Sequence, residues 1–568
     1  MTERRSEVGV LRALGATRSQ IRTLFLSESA IVGLAGTLAG VVFGIAMARA
    51  IAGYIGDLLE EVYGVAQRAD QIAVEPWLIA AAVGMGVTTS LVAAMIPARN
   101  AARIDPVKAL QKGKYQSLSE GENRRRRRWA IACAAAAVLA LTLSRYRLIF
   151  YAGYLLAVLA AVLLSPSLAL WLARVLRPIL SRVRPVEGTL AVDSLIQAPR
   201  RTSGTIAALM LSLALVISLG GLARSSYNSI SEWMRIALNP DLFVTTAETV
   251  TTRSFVFPAS LAEGLRAVAG VGEVQAVRSV RVLVKGTPIM LVAVDVNAVA
   301  KRAKLPPVEG NSAEMYKLTA EGRGIMASEN FARLHECRLG ETLEIPAPAG
   351  TLRLPVVGIV RDFSDQQGSL LITRSVFARF WNDDSVNIFR IYLQPGAREA
   401  DVRQRILDAY GARERLFVLT NHDLRNYVIR VTDQWFGLTY VQIAVAVLVA
   451  VLGIVNALTV SITDRRRELG VLQAVGGLRR QIRHTVWMEA FGIGLIGLAL
   501  GLALGAVQLY YSLEIARRDL IGIDIGYAYP LQTALALAPV ILGAAFLAAL
   551  GPAESAVRGS LVEALEYE

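Results

Sequence analysis

RRSEVGVLRALGATRSQIR occupies residues 4–22, and RRRELGVLQAVGGLRRQIR occupies residues 465–483. The two stretches align without a gap. Glu7, Gly9, Leu11 and Gly15 recur as Glu468, Gly470, Leu472 and Gly476, and Arg18, Gln20, Ile21 and Arg22 recur as Arg479, Gln481, Ile482 and Arg483. The likeness runs on into apolar sequence, where Gly36, Gly40 and Gly44 return as Gly497, Gly501 and Gly505. A second pair of matching strings, PARNAARIDPVKAL at 97–110 and PAESAVRGSLVEAL at 552–565, closes each copy. The chain is therefore built on a duplicated module: a basic amphipathic helix, a glycine-ridged apolar span, a loop, a second span and a Pro-Ala tail.

Working outward, hydrophobic residues make up 54% of the 568 positions and the mean hydropathy is +0.46, which points to a polytopic membrane protein. A bilayer core of about 30 Å needs about 20 apolar helical residues. About eight stretches offer this, at 29–52, 77–96, 129–144, 148–172, 205–223, 435–462, 486–510 and 531–550, the third being the shortest. The formal charge of +14 sits in arginines that flank these spans without interleaved stacking aromatics, so the cations read as membrane-flanking residues and not as a nucleic-acid surface. The basic segments at 1–22, 99–128, 174–201 and 465–483 alternate so as to share one side. The positive-inside rule assigns that side to the cytoplasm, with both termini inside and the segment from 225 to 432 outside. The Arg124–Arg128 run is a topology determinant and lipid-headgroup contact. Met1 falls where a span should just have ended, so the pattern reads as shortened by at least two spans at the amino end.

Between 225 and 432 the pattern changes to short β-branched runs broken by Gly and Pro. Strands are expected at 241–245, 274–284, 289–294, 342–345, 352–360, 369–372 and 388–393, and helices at 261–268, 328–334, 374–381 and 399–410. The expected fold is thus mainly α-helical and polytopic, with one α+β extracytoplasmic domain. Its parts are residues 1–112 (basic helix and two spans), 113–203 (basic linker and a middle pair of spans), 204–224 (a span leading outward), 225–432 (the outer domain) and 433–568 (span, basic helix, two spans).

These residues resemble the FtsX-like permease family, the membrane subunits of type VII ABC transporters, including MacB-type and lipoprotein-releasing permeases. The resemblance rests on RRRELGVLQAVGGLRRQI and its copy, on the Pro-Ala tails, and on GETLEI with LPVVGIV at 340–345 and 354–360, similar to a MacB-like periplasmic core domain. It implies that the basic helices are coupling helices docked on a separate ATPase, through Glu7, Gly9, Leu11 and Gly15 and through Glu468, Gly470, Leu472 and Gly476. Leu469, Leu472 and Val475 form an apolar stripe suited to a groove. No GxxxxGK[ST] loop occurs in the sequence, so ATP is expected on the partner subunit and no cofactor on this chain. The resemblance also implies a bacterial inner-membrane location, export or extraction of a hydrophobic or lipid-linked molecule, membrane lipids as neighbours, and a periplasmic adaptor or substrate protein as a further partner.

Simpler readings compete with these. A basic helix also anchors on anionic lipid, but an anchor needs charge and not the repeated Glu, Gly, Gln and Ala identities. The small-xxx-small stripes Gly36/Gly40/Gly44 and Gly497/Gly501/Gly505 read as close intrachain helix packing in preference to a dimer seam. Glu28 and Glu489 read as interfacial caps or partners of Arg22 and Arg483, and Asn456 as glue between helices. Cys337 is expected to react with an impermeant reagent from outside unless it is buried. His335, His422 and His484 lack ligand spacing, so no metal is expected. Two other functions fit the same topology: a signalling permease that senses a peptide or controls a cell-wall hydrolase, and an inert fragment of a longer permease. A membrane-surface enzyme lacks any catalytic constellation.

Overall fold

The computed structural model describes residues 5–63, 75–102, 120–143, 146–197, 199–247, 255–464, 466–520 and 522–558. The chain divides into two compact units, residues 1–116 and 117–568.

In the first unit the basic helix α1 (Arg5–Ala13) is followed by α2 (Arg18–Tyr63) and α3 (Pro76–Ala102). The long helices form a hairpin by close approach of small residues: a Cβ added at Gly33 would lie 2.7 Å from Ser90, and Ser90 Oγ donates to the Ser29 carbonyl at 2.8 Å. Val8 of α1, 3% exposed, seats against Ile21, Ala101 and Ala102. The Arg12 guanidinium donates to the last carbonyl of α3, Ala102 O, at 2.7 Å, where a cation complements the helix C-terminus.

The second unit starts with α4 (Glu120–Thr142), α5 (Arg147–Val183), α6 (Pro185–Gln197) and α7 (Pro199–Ala237). A sheet domain follows: β1 (Leu242–Thr245), α8 (Leu261–Arg266), β2 (Val271–Val284), β3 (Thr287–Val294), α9 (Val296–Arg302), β4 (Pro307–Glu309), α10 (Ser312–Ala320), β5 (Ile325–Ser328), α11 (Glu329–Leu334), β6 (Thr342–Ala347), β7 (Gly350–Val360), β8 (Ser369–Thr373), α12 (Arg374–Trp381), β9 (Ile388–Leu393), α13 (Glu399–Tyr410) and β10 (Phe417–Thr420). The chain then returns through α14 (Asn421–Phe436), α15 (Leu438–Asp464), the basic helix α16 (Arg466–Ala474), α17 (Arg479–Ile515), a π-helical turn at Ala516–Leu520, and α18 (Leu531–Arg558).

Among the described residues six helices are long and apolar enough to cross a membrane: Arg18–Ala50, Pro76–Met95, Arg147–Val183, Thr202–Ala237, Arg479–Asp519 and Leu531–Ser555. Eight were expected, and one of the other two falls short for a physical reason. The stretch from Trp129 shares α4 with the Arg124–Arg128 run, leaving an apolar length of about 21 Å against a core of about 30 Å. The other lies on α15, a helix of 27 residues that carries the apolar segment Val447–Ile462. Asn456 of that helix is exposed and does not lie between helices, contrary to expectation. The helical core of the unit is shared by α5, α6, α7, α15, α17 and α18, through Leu176, Leu195, Met210, Leu458, Ile493 and Ala545 among others.

The sheet is ten-stranded, ordered β10-β1-β9-β2-β3-β8-β5-β7-β4, with β6 paired to β7. The fourteen-residue β2 spans its middle, pairing with β9 over its first half and with β3 over its second. This arrangement divides the interior into separate apolar cores, one around Leu242, Phe389 and Ile406 and another around Ile289, Phe331 and Phe377. The helix α7 has 39 residues, about 58 Å, and so continues well past the span expected to end at 223, as a stalk running to the sheet. Entry and exit strands pair with each other, Leu242 opposite Thr420. The Asn421 amide side chain holds the junction by donating to the Pro240 carbonyl at 2.8 Å, and a Thr420–Asp423 capping box starts α14.

Candidate functional site

The two copies of the opening sequence fold the same way. In each, the basic helix ends in a Schellman turn: Ala16 N–H donates to Leu11 O at 2.9 Å and Gly477 N–H to Leu472 O at 2.8 Å. Gly15 donates to Arg12 O at 3.2 Å and Gly476 to Gln473 O at 3.0 Å. The residue that reverses the chain must adopt the left-handed region, and Gly15 (φ +100°) and Gly476 (φ +102°) do so. The repeated glutamines have a local task as well. Gln20 Oε1 accepts from Thr17 N–H at 2.8 Å and Gln481 Oε1 from Leu478 N–H at 3.0 Å, capping the helix that follows. Thr17 Oγ1 completes a reciprocal box by accepting from Gln20 N–H at 3.2 Å, which the aliphatic Leu478 cannot do. Part of what the repetition preserves is thus the geometry of a helix–turn–helix.

That geometry leaves an apolar ridge exposed. Val10, Leu11 and Leu14 are 48%, 40% and 80% exposed, and their counterparts Val471, Leu472 and Val475 are 45%, 37% and 85% exposed. The spacing i, i+1, i+4 puts each trio on one helix face. Arg18 and Arg22 in one copy and Arg479 and Arg480 in the other are exposed beside it. Of the stripe expected on α16, Leu472 and Val475 belong to the ridge, while Leu469 is half-buried and Gly470 is buried. Glu7, Gly9 and Glu468 lie within α1 and α16, and their side chains fall outside the described residues, as do the tail positions 103–110 and 559–565. Val10, Leu14 and Val471 were not singled out from the sequence, because an apolar residue in a basic helix reads equally as a face seated against its own protein.

The glycine stripes behave differently in the two units. A Cβ at Gly501 would lie 2.6 Å from the Leu213 Cβ, and one at Gly505 2.6 Å from the Ile217 Cβ; Gly497 lies still closer to Leu209. The α17 stripe is therefore a groove filled by three aliphatics of α7. Within the first unit, Cβ atoms at Gly36, Gly40 and Gly44 would meet nothing within 4 Å. One contact is common to both: Gly494, the repeat mate of Gly33, faces Ala545, the mate of Ser90, at 3.1 Å.

The charged residues near the base of the repeats pair otherwise than expected. Arg483 forms an ion pair with Glu554 at 3.1 Å. Glu489, 4% exposed, accepts instead from the hydroxyl of Ser461 at 2.8 Å, whereas its repeat mate Glu28 is exposed.

In the sheet domain Cys337 is 5% exposed, and burial followed by the nearby Glu341 charge pushes its thiol up to about 11, so external labelling is not expected of it. At the end of β1 and β10 away from the stalk lies a concavity of about 520 Å³ whose lining includes Phe255, Phe257 and Phe417 and the charged run Arg413, Glu414 and Arg415. The domain meets the helical part through the edge of Trp233 of α7 on Phe363, ring centroids 5.9 Å apart, and through Gly522 against Asn330.

Comparison with known proteins matches the FtsX-like permease C-terminal family over residues 1–106 and 440–561, which contain the two repeats, and the MacB-like periplasmic core domain over 202–409. An uncharacterized ABC transporter permease protein of Mycobacterium tuberculosis is 25% identical over 507 residues, 88% of this chain and 59% of that protein. A macrolide export ATP-binding/permease protein MacB of Bordetella avium is 32% identical over 164 residues, 26% of this chain and 25% of that protein. The MacB of Escherichia coli K12 is 24% identical over 270 residues, 46% and 41% of the two chains. The chain thus spans no more than 59% of these relatives. Among solved structures, the extracellular domain of the noncanonic ABC-type transporter YknZ from Gram-positive bacteria aligns with 32% of this chain and 99% of that one, with a TM-score of 0.25 and 15% identity.

Proposed function

Given that the chain belongs to the FtsX-like permease family, as an ABC transporter permease of the MacB/FtsX type with a MacB-like periplasmic core domain, we propose that it transmits the motion of a separate ATPase to an extracytoplasmic domain. The observation that carries this reading is the twice-built apolar ridge, Val10/Leu11/Leu14 and Val471/Leu472/Val475, held out by a glycine turn and rimmed by arginine. A lipid anchor would use the charge without needing a rigid reverse turn, whereas a groove on a moving protein needs a rigid knob. In this reading α1 and α16 face the cytoplasm of a bacterium, both termini lie inside, and the ATPase supplies the nucleotide site.

The route from α16 outward follows from the packing. The α17 groove grips α7 at Leu209, Leu213 and Ile217, so the two helices shift together. The α7 stalk runs into β1, β1 is paired with β10, and β10 returns through α14 and α15 to α16. A push on the knob therefore acts on the sheet domain through both of its connections to the membrane. The cargo is a hydrophobic or lipid-linked molecule met on the outer side, a class to which the aromatic and arginine-lined concavity at Phe255 and Arg413 is suited.

Co-purification tests the docking. The tagged wild-type chain, expressed with its chromosomal partners, is expected to retain an ABC-class ATPase and its hydrolytic activity. Leu472→Asp, which charges the ridge without touching the core, is expected to lose most of it while its thermal unfolding is unchanged. Equal retention by the variant, or no ATPase on the wild type, overturns the assignment.

A further inference from the structure

A carboxylate inside an apolar helical core is expensive unless it is hydrogen-bonded, and where it occurs it marks a place the core is organised around. Glu489 is such a group. It is 4% exposed, Ser461 is 2% exposed, and the two meet at 2.8 Å in the core that Leu458 of α15 and Val486, Ala490 and Ile493 of α17 build. Their place in the chain is particular: Ser461 lies one turn before the end of α15 at Asp464, Glu489 lies about three turns into α17, and α16 is the element between them.

We propose that the Glu489–Ser461 hydrogen bond is a strut that closes the base of the α15–α16–α17 hairpin, so that a load on α16 moves both flanking helices as one lever. The proposal rests on the docking reading above and deepens it. Without the strut, force on α16 is absorbed by spreading α15 from α17, which share an apolar core at Leu458, Val486, Ala490 and Ile493. With it, α15 and α17 carry the displacement together, one to α14 and β10 and the other to α7 and β1. In the first unit the equivalent Glu28 is exposed, and among the described residues no helix corresponds to α15. Glu489 is a positioning residue here: it touches neither nucleotide nor cargo.

Two measurements test it, on the full chain in nanodiscs. The first needs no ATPase: hydrogen exchange of the amides around Ser461 and Glu489. Glu489→Ala and Ser461→Ala are each expected to exchange about threefold faster there, the scale of one interhelical hydrogen bond, and no faster when combined. Glu489→Gln, which still accepts from the Ser461 hydroxyl, is expected to exchange as wild type. The second uses the co-purified ATPase and a cysteine pair at Trp233 and Phe363, in a Cys133→Ser background, and reads ATP-dependent disulfide yield. Glu489→Ala and Ser461→Ala are expected to bind the ATPase normally but to lose the ATP response, and Glu489→Gln to keep it. Unchanged exchange in the alanine variants, a retained ATP response in them, or a glutamine variant that behaves as alanine overturns the strut. Failure of the wild type to hold an ATPase overturns the docking reading instead, leaving the exchange result to decide the strut.

Discussion

The same glycine ridge occurs in both units and has two different surroundings. On α17, Gly497, Gly501 and Gly505 are filled by Leu209, Leu213 and Ile217 of α7, while on α2, Gly36, Gly40 and Gly44 have no side chain against them within their unit. The contacts made inside each hairpin are nevertheless the same, Gly33 on Ser90 and Gly494 on Ala545. What the duplication specifies is thus a hairpin with a turn at its base. The ridge acquires a role only from the helix laid into it, and in the second unit that helix is also the stalk of the sheet domain.

The contrast breaks most sharply at Gly501. Leucine there would place atoms on Leu213 and the Met210 carbonyl, which lies 3.3 Å from the ideal Cβ, and backbone does not yield. Gly501→Leu is expected to destabilise the helical core by about 3 kcal/mol, seen as a large fall in detergent unfolding temperature. Leu213→Ala in the same chain should recover part of it, and absence of any rescue would argue against α7 being the occupant.

How much of this was readable beforehand divides along the same line. Local patterns carried far: α12 and α13 have the expected ends, and seven strands lie where β-branched runs broken by Gly and Pro put them, because such side chains fit a packed, pleated surface. The three strands that went unread, β4, β5 and β10, have three or four residues each, too few for a β-branched run to stand out, and Pro307 opens β4. The stalk was read as ending at 223 because hydropathy falls there, although the backbone helix continues to Ala237. In the site, repetition marks Gly15 and Gly476 in the sequence as docking positions, and their role in the reverse turn shows only in the backbone. The Glu489–Ser461 pair is not legible, since Arg483 is closer in sequence and only the crossing of α15 over α17 decides the partner.

Smaller effects sharpen the likeness between the units. Gly15→Ala and Gly476→Ala force a Cβ into the left-handed region, where nothing else crowds them, so each is expected to cost about 1 kcal/mol, the cost of the backbone conformation alone. Equal losses, read as faster exchange of the Ala16 and Gly477 amides, would establish the two turns as equivalent; a large difference would separate them. Below this comes the cap. Leu478→Thr supplies the hydroxyl that Thr17 already offers in the first copy and is expected to stabilise the start of α17 by about 0.5 kcal/mol. An unchanged or lower stability would mean that Leu478, 64% exposed, matters more as an apolar contact for a partner than as a cap.

The smallest expected effect is the most informative about the first unit. Gly40→Leu is the repeat counterpart of Gly501→Leu and introduces the same atoms, but its Cβ meets nothing within 4 Å. With open space at this position, replacing glycine by leucine removes a flexible residue and adds apolar surface, so stability should stay level or rise by a few tenths of a kcal/mol. The paired measurement is a thermal unfolding series of both variants in one lipid. A loss at Gly40 approaching that at Gly501 would require a helix with bulky aliphatics lying in the α2 ridge, as α7 lies in the other. A loss confined to Gly501 would mean that identical ridges are used once for packing and once for contact with the bilayer, and that only the unit bearing the sheet domain is locked to a stalk.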